Sequence, residues 1–290
     1  MTSIWSRVAR LDVSSVVEQV AEQSGVRLEV EGLCSGGEVG AAYVRWDDGR
    51  RSVLKWRPGT RLEDFQAGPL AVSETARLAG LPVPRTELAV QLDSAVATVQ
   101  ELLPGAPIAA LDESLLDQVL AVNEQLRLLL TGNSTVPSLN LYLTFDGPGF
   151  CLHGPLRAHD RRTARLDDWI TAVGADHPGP LRGDDAVHVD FHPGNLLVVD
   201  GKLTGIIDWD GAGRGDHRLD LVTLRFGLHG GDADPAVVAR LDATLDEIPP
   251  DILRPLWAHM SLRMTDWAIR HFTPADVDHW TTLAETRMAR

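Results

Sequence analysis

A chain of 290 residues and 31.6 kDa, 44% hydrophobic and 23% charged, has the balance of a soluble globular protein with room for two lobes. Its formal net charge of −14 argues against nucleic-acid binding by phosphate neutralisation, which needs a basic face, and would steer a polycationic small molecule inward, although acidity also serves solubility alone. No apolar stretch approaches a membrane span, the N-terminal MTSIWSRVARLDVSS lacks a signal-peptide core, and Cys34 and Cys151 fall outside any metal-ligand spacing; the expectation is a cytoplasmic protein with reduced thiols, no membrane, no structural zinc and no evident protein partner.

In chain order, residues 11–24 read as an amphipathic helix with Val13, Val16, Val17 and Val20 on one face, ended by Gly25. Short alternating segments follow. Tyr43–Trp46 and Ser52–Trp56 flank an Asp-Asp-Gly turn as a hairpin, residues 61–80 read as a helix, and Leu81-Pro-Val-Pro84 cannot continue it. Thr86–Leu92 and Ala95–Leu102 complete a small antiparallel sheet. Pro104-Gly105 breaks the pattern and sets the expected lobe boundary, an N-terminal lobe of 1–103 and a C-terminal lobe of 104–290. Beyond it the chain turns mainly helical, over 112–130, around 166–173, over 216–229 and 235–245, and twice between 253 and 290 about Pro274. Neither a repeat nor a low-complexity linker interrupts it.

One stretch breaks the helical run. His188-Val-Asp190 precedes Asn195 with the H-x-D-x-x-x-x-N spacing of a phosphoryl-transfer loop. Two apolar runs around Asp200-Gly201-Lys202 then predict a hairpin that delivers Asp208-Trp209-Asp210. Such a hairpin brings Asn195 and Asp208 together, and an amide oxygen beside a carboxylate suits Mg²⁺, a hard cation that keeps phosphate oxygens as partners. Asp190, upstream, can accept a proton from an attacking hydroxyl.

The N-terminal lobe supplies what such a loop needs. Lys55 in an apolar strand is costly unless an anion meets it, which suits phosphates, and Glu74 on the next helix is its expected partner, with Glu63 a weaker alternative. Leu33–Gly40 contains Gly36-Gly37, whose backbone N–H groups can fold over phosphates, although it matches neither a G-x-G-x-x-G nor a Walker pattern. Between the lobes, the backbone of Glu101 and Leu103 is placed to pair with adenine, an expectation resting on position alone.

From about Leu33 to about Leu224 the chain resembles the aminoglycoside phosphotransferase and choline kinase-like family, most strongly in His188-x-Asp190-x-His192-Pro-Gly-Asn195, Ile206-Ile-Asp208-Trp-Asp210 and Gly215-Asp216 before Asp220-Leu221. The resemblance implies an α+β, bilobed protein-kinase-like fold, with a small antiparallel β lobe carrying a helix and a larger, mainly α-helical C-terminal lobe. It implies Asp190 as catalytic aspartate, Asn195 and Asp208 as magnesium ligands, Lys55 with Glu74 on phosphate, His188 as a buttress of the loop, and Asp220 as a tie to the following helix. His192-Pro193-Gly194, absent from protein serine/threonine kinases, favours the small-molecule branch. The family often has Gly-Asp where this chain has Val189-Asp190.

The expected activity is therefore ATP-dependent, Mg²⁺-assisted phosphorylation of a hydroxyl, with GTP not excluded. The expected acceptor is a cationic antibiotic, an aminoglycoside or a viomycin- and capreomycin-type cyclic peptide, received by Asp210, Asp266, Trp267 and Glu285. Alternatives are a metabolic kinase for an amino alcohol or sugar and a nucleotide-binding pseudokinase, the last opposed by intact Lys55, Asp190, Asn195 and Asp208.

Overall fold

A computed structural model describes residues 11–34, 40–228 and 234–288. The first helix, α1 (Val13–Ser24), is capped by Asp12, whose side chain accepts from the Ser15 N–H, and ends at Gly25 in the left-handed conformation with its N–H on the Ala21 carbonyl. It lies against five antiparallel strands, β1 (Leu28–Leu33), β2 (Ala41–Trp46), β3 (Arg51–Pro58), β4 (Thr86–Gln91) and β5 (Ala95–Glu101), in the order β1-β2-β3-β5-β4. Val16 and Val20 of the helix meet Val44, Leu54, Val90, Ala97 and Val99 in one apolar cluster. Leu54 is fully buried there, and its truncation to alanine would cost about 2–5 kcal/mol.

The helix expected over 61–80 is present but interrupted. It runs as α2 (Leu62–Phe65), a π turn (Gln66–Leu70) and α3 (Ala71–Leu78). Pro69 within the π turn lacks the N–H that a continuous α-helical ladder would use, which accounts for the break. Val72 and Ala76 of α3 pack not with the sheet but with the core of the larger lobe.

After β5 the chain crosses at Gly105, whose φ of 120° and close approach to Thr204 and the Val198 carbonyl leave no room for a Cβ. The short β6 (Ala106–Pro107) then joins the larger lobe by pairing with β8 (Leu196–Val199), itself paired with β9 (Lys202–Ile206), and β7 (Asp185–Val187) pairs with β10 (Gly213–Gly215). The remaining elements are helices: α4 (Glu113–Gln125), α5 (His153–His159), α6 (Arg161–Asp176), α7 (Arg218–Gly227), α8 (Pro235–Asp246), α9 (Pro250–His271) and α10 (Pro274–Glu285). The architecture is thus the expected α+β arrangement, an antiparallel β lobe with helices followed by a mainly helical one.

Two local expectations change. The helix foreseen over 112–130 stops at Gln125, because tertiary bonds take over its last turn: the Leu128 N–H donates to Asp185 and the Leu130 N–H to the Asp184 carbonyl. Helix α5, outside the expected helices, begins with His153-Gly154-Pro155, where a proline in the first turn sacrifices no ladder bond. No helix of the described residues is long and apolar enough to cross a membrane.

Candidate active site

The loop between β7 and β8 is fixed from below. Asp220 on α7 is fully buried and accepts from the backbone N–H groups of His188 and Val189, both at 2.8 Å. Burial pushes its carboxyl up to about 7, against those two donors. His188 is also fully buried; its Nε2 bonds the Ile207 carbonyl at 2.9 Å and its Nδ1 accepts from the Asp190 N–H at 3.2 Å, so the ring joins the loop to the exit of β9. Burial lowers it to about 4, which keeps it neutral, as donation from Nε2 and acceptance at Nδ1 together require. Its ring also meets Trp209 edge-on at 4.6 Å. These contacts join the loop to α7 and to the exit of β9.

Above that foundation the backbone is strained. Val189 sits at φ 72° and Asp208 at φ 67°. A β-branched residue in the left-handed region is a genuine outlier, and Val189 adopts it at the position where a glycine would be free to do so. The turn aims Asp190 outward, one-third exposed, with both oxygens engaged. Oδ2 accepts from Asn195 Nδ2 at 2.9 Å and has His192 Nε2 at 3.5 Å; Oδ1 accepts from Arg263 Nη2 at 2.7 Å. Burial works against the charge, but Arg263 and then His192 hold the carboxyl well below the usual range, so it is ionised at neutral pH.

The hairpin forms as expected. Leu196 pairs with Ile206, and the Ile207 N–H donates to the Asn195 carbonyl at 2.9 Å, which sets Asp208 beside the start of β8. The Asn195 Nδ2 is spent on the Asp190 carboxylate and carbonyl, so its amide oxygen is the atom left to act as a ligand. That oxygen and the Asp208 carboxylate form an all-oxygen donor pair suited to Mg²⁺.

Across the cleft, Lys55 Nζ reaches Asp208 Oδ1 at 2.6 Å and Asp210 Oδ2 at 2.9 Å. Burial opposes its charge, while Asp210 and Asp208 hold its pKa above the ordinary lysine value. The expected Lys55–Glu74 pair is not what is found: Glu74 is bonded by Arg77 on its own helix at 2.7 Å, because an i, i+3 neighbour is closer than the strand. Glu63, the weaker alternative, pairs with Arg61. Glu101 closes β5 and its carboxylate accepts from the Arg85 N–H at 3.2 Å; Leu103 packs towards Gly205 of β9. Gly36 and Gly37 lie outside the described residues.

Of the groups expected to receive a cationic acceptor, the three carboxylates have other partners. Asp210 is bonded by Arg57 as well as Lys55. Asp266 is fully buried, takes a bidentate pair from Arg270 at 2.7 and 2.8 Å, and accepts from the Leu152 N–H at 3.1 Å. Glu285 is held by Arg162 at 2.6 and 2.9 Å, fastening α10 to α6. Each of the three carboxylates is paired with an arginine. Trp267 is half-buried, against His271 and Arg270 of its own helix.

Sequence reading missed Arg263. It lies 73 positions from Asp190 and carries no local signal; only the docking of α9 brings it there. Arg57 was missed for the same reason. A cavity of about 780 Å³ opens elsewhere, at the other end of β7, around Asp185, Asp216 and His217. Its carboxylates are bonded within the fold: Asp185 accepts from Leu128 and His217, and Asp216 from Arg218.

Comparison with known proteins agrees with this fold. Over 94% of the chain and 98% of the other, the fold matches the spectinomycin phosphotransferase APH(9)-Ia in complex with ADP and spectinomycin, with a TM-score of 0.64 at 15% identity. A thermostable mutant of aminoglycoside phosphotransferase APH(4)-Ia, in a ternary complex with ADP and hygromycin B, matches over 95% and 98% with a TM-score of 0.61 at 17% identity. The aminoglycoside-3′-phosphotransferase of type VIII matches over 86% and 98% with a TM-score of 0.57 at 19% identity. Residues 33–256, which contain the catalytic loop, the hairpin and Lys55, match the phosphotransferase enzyme family, and the chain belongs to it.

Proposed function

We propose that the chain is an ATP-dependent O-phosphotransferase that acts in the cytoplasm on a hydroxyl of a small-molecule antibiotic. The observation that carries this reading is the joint placement of Lys55, Asp208, Asn195 and an ionised Asp190 around one cleft. ADP and antibiotics bound to proteins of the same fold support it.

In this reading residues 1–103 receive the nucleotide, with adenine against the backbone of Glu101 and Leu103 and Lys55 turning from the two carboxylates to the phosphates. Asn195 and Asp208 would hold Mg²⁺, which offsets phosphate charge when bound. Asp190 orients the acceptor hydroxyl and takes its proton; Asn195 and Arg263 fix the carboxylate in the required direction. The acceptor oxygen forms the new bond to phosphorus as ADP departs. Little covalent work falls to the protein, so the rate comes from positioning and electrostatics.

The test is incubation of the protein and its Asp190→Asn variant with Mg²⁺-ATP and a panel of hydroxylated antibiotics and metabolites, followed by mass spectrometry for the added phosphoryl group. The expected result is transfer to an antibiotic and a fall of about 10³-fold in kcat for the variant. Turnover of metabolites alone would remove the antibiotic, and an Asp190→Asn rate equal to wild type would remove the assigned base.

A further inference from the structure

The charged side chain bonded to Asp190, Arg263, has the opposite sign to the protein as a whole. Arg263 donates to the Val189 carbonyl at 2.6 Å and to Asp190 Oδ1 at 2.7 Å, and His192 stands 3.5 Å from Oδ2. Trp267 and His271 follow Arg263 at i+4 and i+8, so all three share one face of α9. Trp267 is the aromatic side chain of that face. The ring meets His271 at 4.1 Å between centroids and the Arg270 guanidinium at 5.3 Å. Its neighbours Met264 and Ile269 pack on the core, whereas Trp267 stays half-exposed beside its two cationic or ionisable partners.

We propose that the Arg263–Trp267–His271 face of α9 is the acceptor wall, and that it selects a compound neutral or anionic near its reacting hydroxyl, with an apolar ring face, over a polycation. This rests on the reading of Asp190 as the base. Each carboxylate oxygen has two lone pairs, so Asp190 can receive a hydroxyl while Arg263 and Asn195 stay in place. A neutral hydroxyl enters beside the guanidinium without repulsion, and an anionic substituent gains a charge-assisted pair with it. An ammonium at the same distance meets Arg263 in a cleft where screening is weak, and the carboxylates that would compensate are held by Arg57, Arg270 and Arg162. Trp267 offers the flat apolar surface on which a sugar or lactone ring stacks, and its indole edge remains available for a hydrogen bond. In the transfer, the hydroxyl O–H bond breaks with its proton going to Asp190, the new O–P bond forms, and the bond between the γ-phosphorus and the bridging oxygen breaks to release ADP.

Wild-type protein with Mg²⁺-ATP is given three charge classes of hydroxylated ring compounds: neutral aryl glycosides and lactone glycosides, aryl glucuronides, and polycationic aminoglycosides. Binding is read by calorimetry and transfer by mass spectrometry. The expected acceptors are in the neutral or anionic classes. Arg263→Ala should raise KM for an anionic acceptor by at least about tenfold with a smaller change for a neutral one, and Arg263→Glu should shift preference towards the polycations. Trp267→Ala should raise acceptor KM for both classes, with Trp267→Phe restoring most of it, a rescue that a purely structural role would not need. Binding and turnover confined to polycations, or no binding by any neutral or anionic member, would overturn the proposal, as would acceptor KM values unmoved in both Arg263→Ala and Trp267→Ala. Slow Mg²⁺-ATP hydrolysis without acceptor, lost in Lys55→Ala, reports separately on phosphoryl transfer: if it is absent the underlying reading has failed, and if it is present while the charge classes behave otherwise only the acceptor wall has.

Discussion

The catalytic loop and the C-terminal helices both carry carboxylates in the larger lobe, and they treat them differently. Asp190 is held by an amide on its own loop and by a distant arginine, over a base of buried groups that pin its backbone, and it keeps one-third of its surface open. Asp266 and Glu285 are bonded by Arg270 and Arg162 in bidentate fashion, one fully buried and one at the surface. A carboxylate closed by a guanidinium fork has little capacity left for a ligand, whereas one held at single points on each oxygen retains lone pairs. Residue type near a cleft is therefore a poor guide to function, and partner geometry is a better one.

Two substitutions test that contrast. The largest effect belongs to Asp266→Ala, which leaves the buried Arg270 without its partner and the Leu152 N–H without an acceptor. A loss of about 3–5 kcal/mol in unfolding free energy is expected, measured by urea denaturation, with nucleotide affinity unchanged. Glu285→Gln, at an exposed pair, should cost less than about 1 kcal/mol in the same measurement. Equal costs at the two sites would erase the distinction between buried fork and surface fork.

Next, Lys55→Ala removes the cation that Asp208 and Asp210 share and should lower kcat by about 10²-fold while weakening ATP binding in a calorimetric titration. Glu74→Gln breaks only the pair with Arg77 and should change kcat by less than about threefold. A Glu74→Gln loss as large as that of Lys55→Ala would mean that α3 presents Glu74 to the lysine during turnover.

The smallest effect is in pH dependence. His259 is buried on α9 with its Nδ1 on the Leu141 carbonyl at 2.8 Å, and burial pushes it down to about 4. In the unfolded chain the imidazole takes its proton near pH 6.5, so between about 4 and 6.5 the unfolded state binds more protons and stability rises with pH. His188 contributes in the same direction. Asp220, raised to about 7, acts in the opposite direction, because the folded state then holds the extra proton. His259→Asn keeps a donor for the carbonyl and should reduce the stability gained between about pH 4.5 and 6.5 by about 1–2 kcal/mol, read from urea midpoints at both values. An unchanged gain would mean that this histidine is already charged in the fold.

Much of the fold was legible because its signals are local. The turn at Gly25, the hairpin of β2 and β3, the break at Pro84 and the hairpin of β8 and β9 each follow from a few adjacent residues. The spacing from His188 to Asn195 and onward to Asp208 was legible for the same reason, since one loop and one hairpin set it. What escaped is what only tertiary packing decides. Arg263 and Arg57 reach their carboxylates from 73 and 153 positions away, and Glu74 chose a neighbour on its own helix over the expected lysine. Helix α4 ended early where the Asp185 carboxylate, rather than a helix carbonyl, accepts from the Leu128 N–H. Acidic residues on a predicted helix looked available to a cation because their arginines could not be located from the chain alone.

The position of α3 bears on how the cleft can move. Its residues Val72 and Ala76 are embedded in the larger lobe, while the five strands share a separate apolar cluster with α1. Any widening of the cleft would thus carry the sheet and Lys55 away from a helix that stays behind with the catalytic loop. Two pivots suit that motion: the π turn around Pro69, where the helical ladder is already broken, and Gly105, where the chain crosses between the lobes. In the proposed reading, the lysine and its two carboxylates would act as the latch between a moving upper part and a fixed lower one, released when phosphate replaces carboxylate as the ammonium's partner.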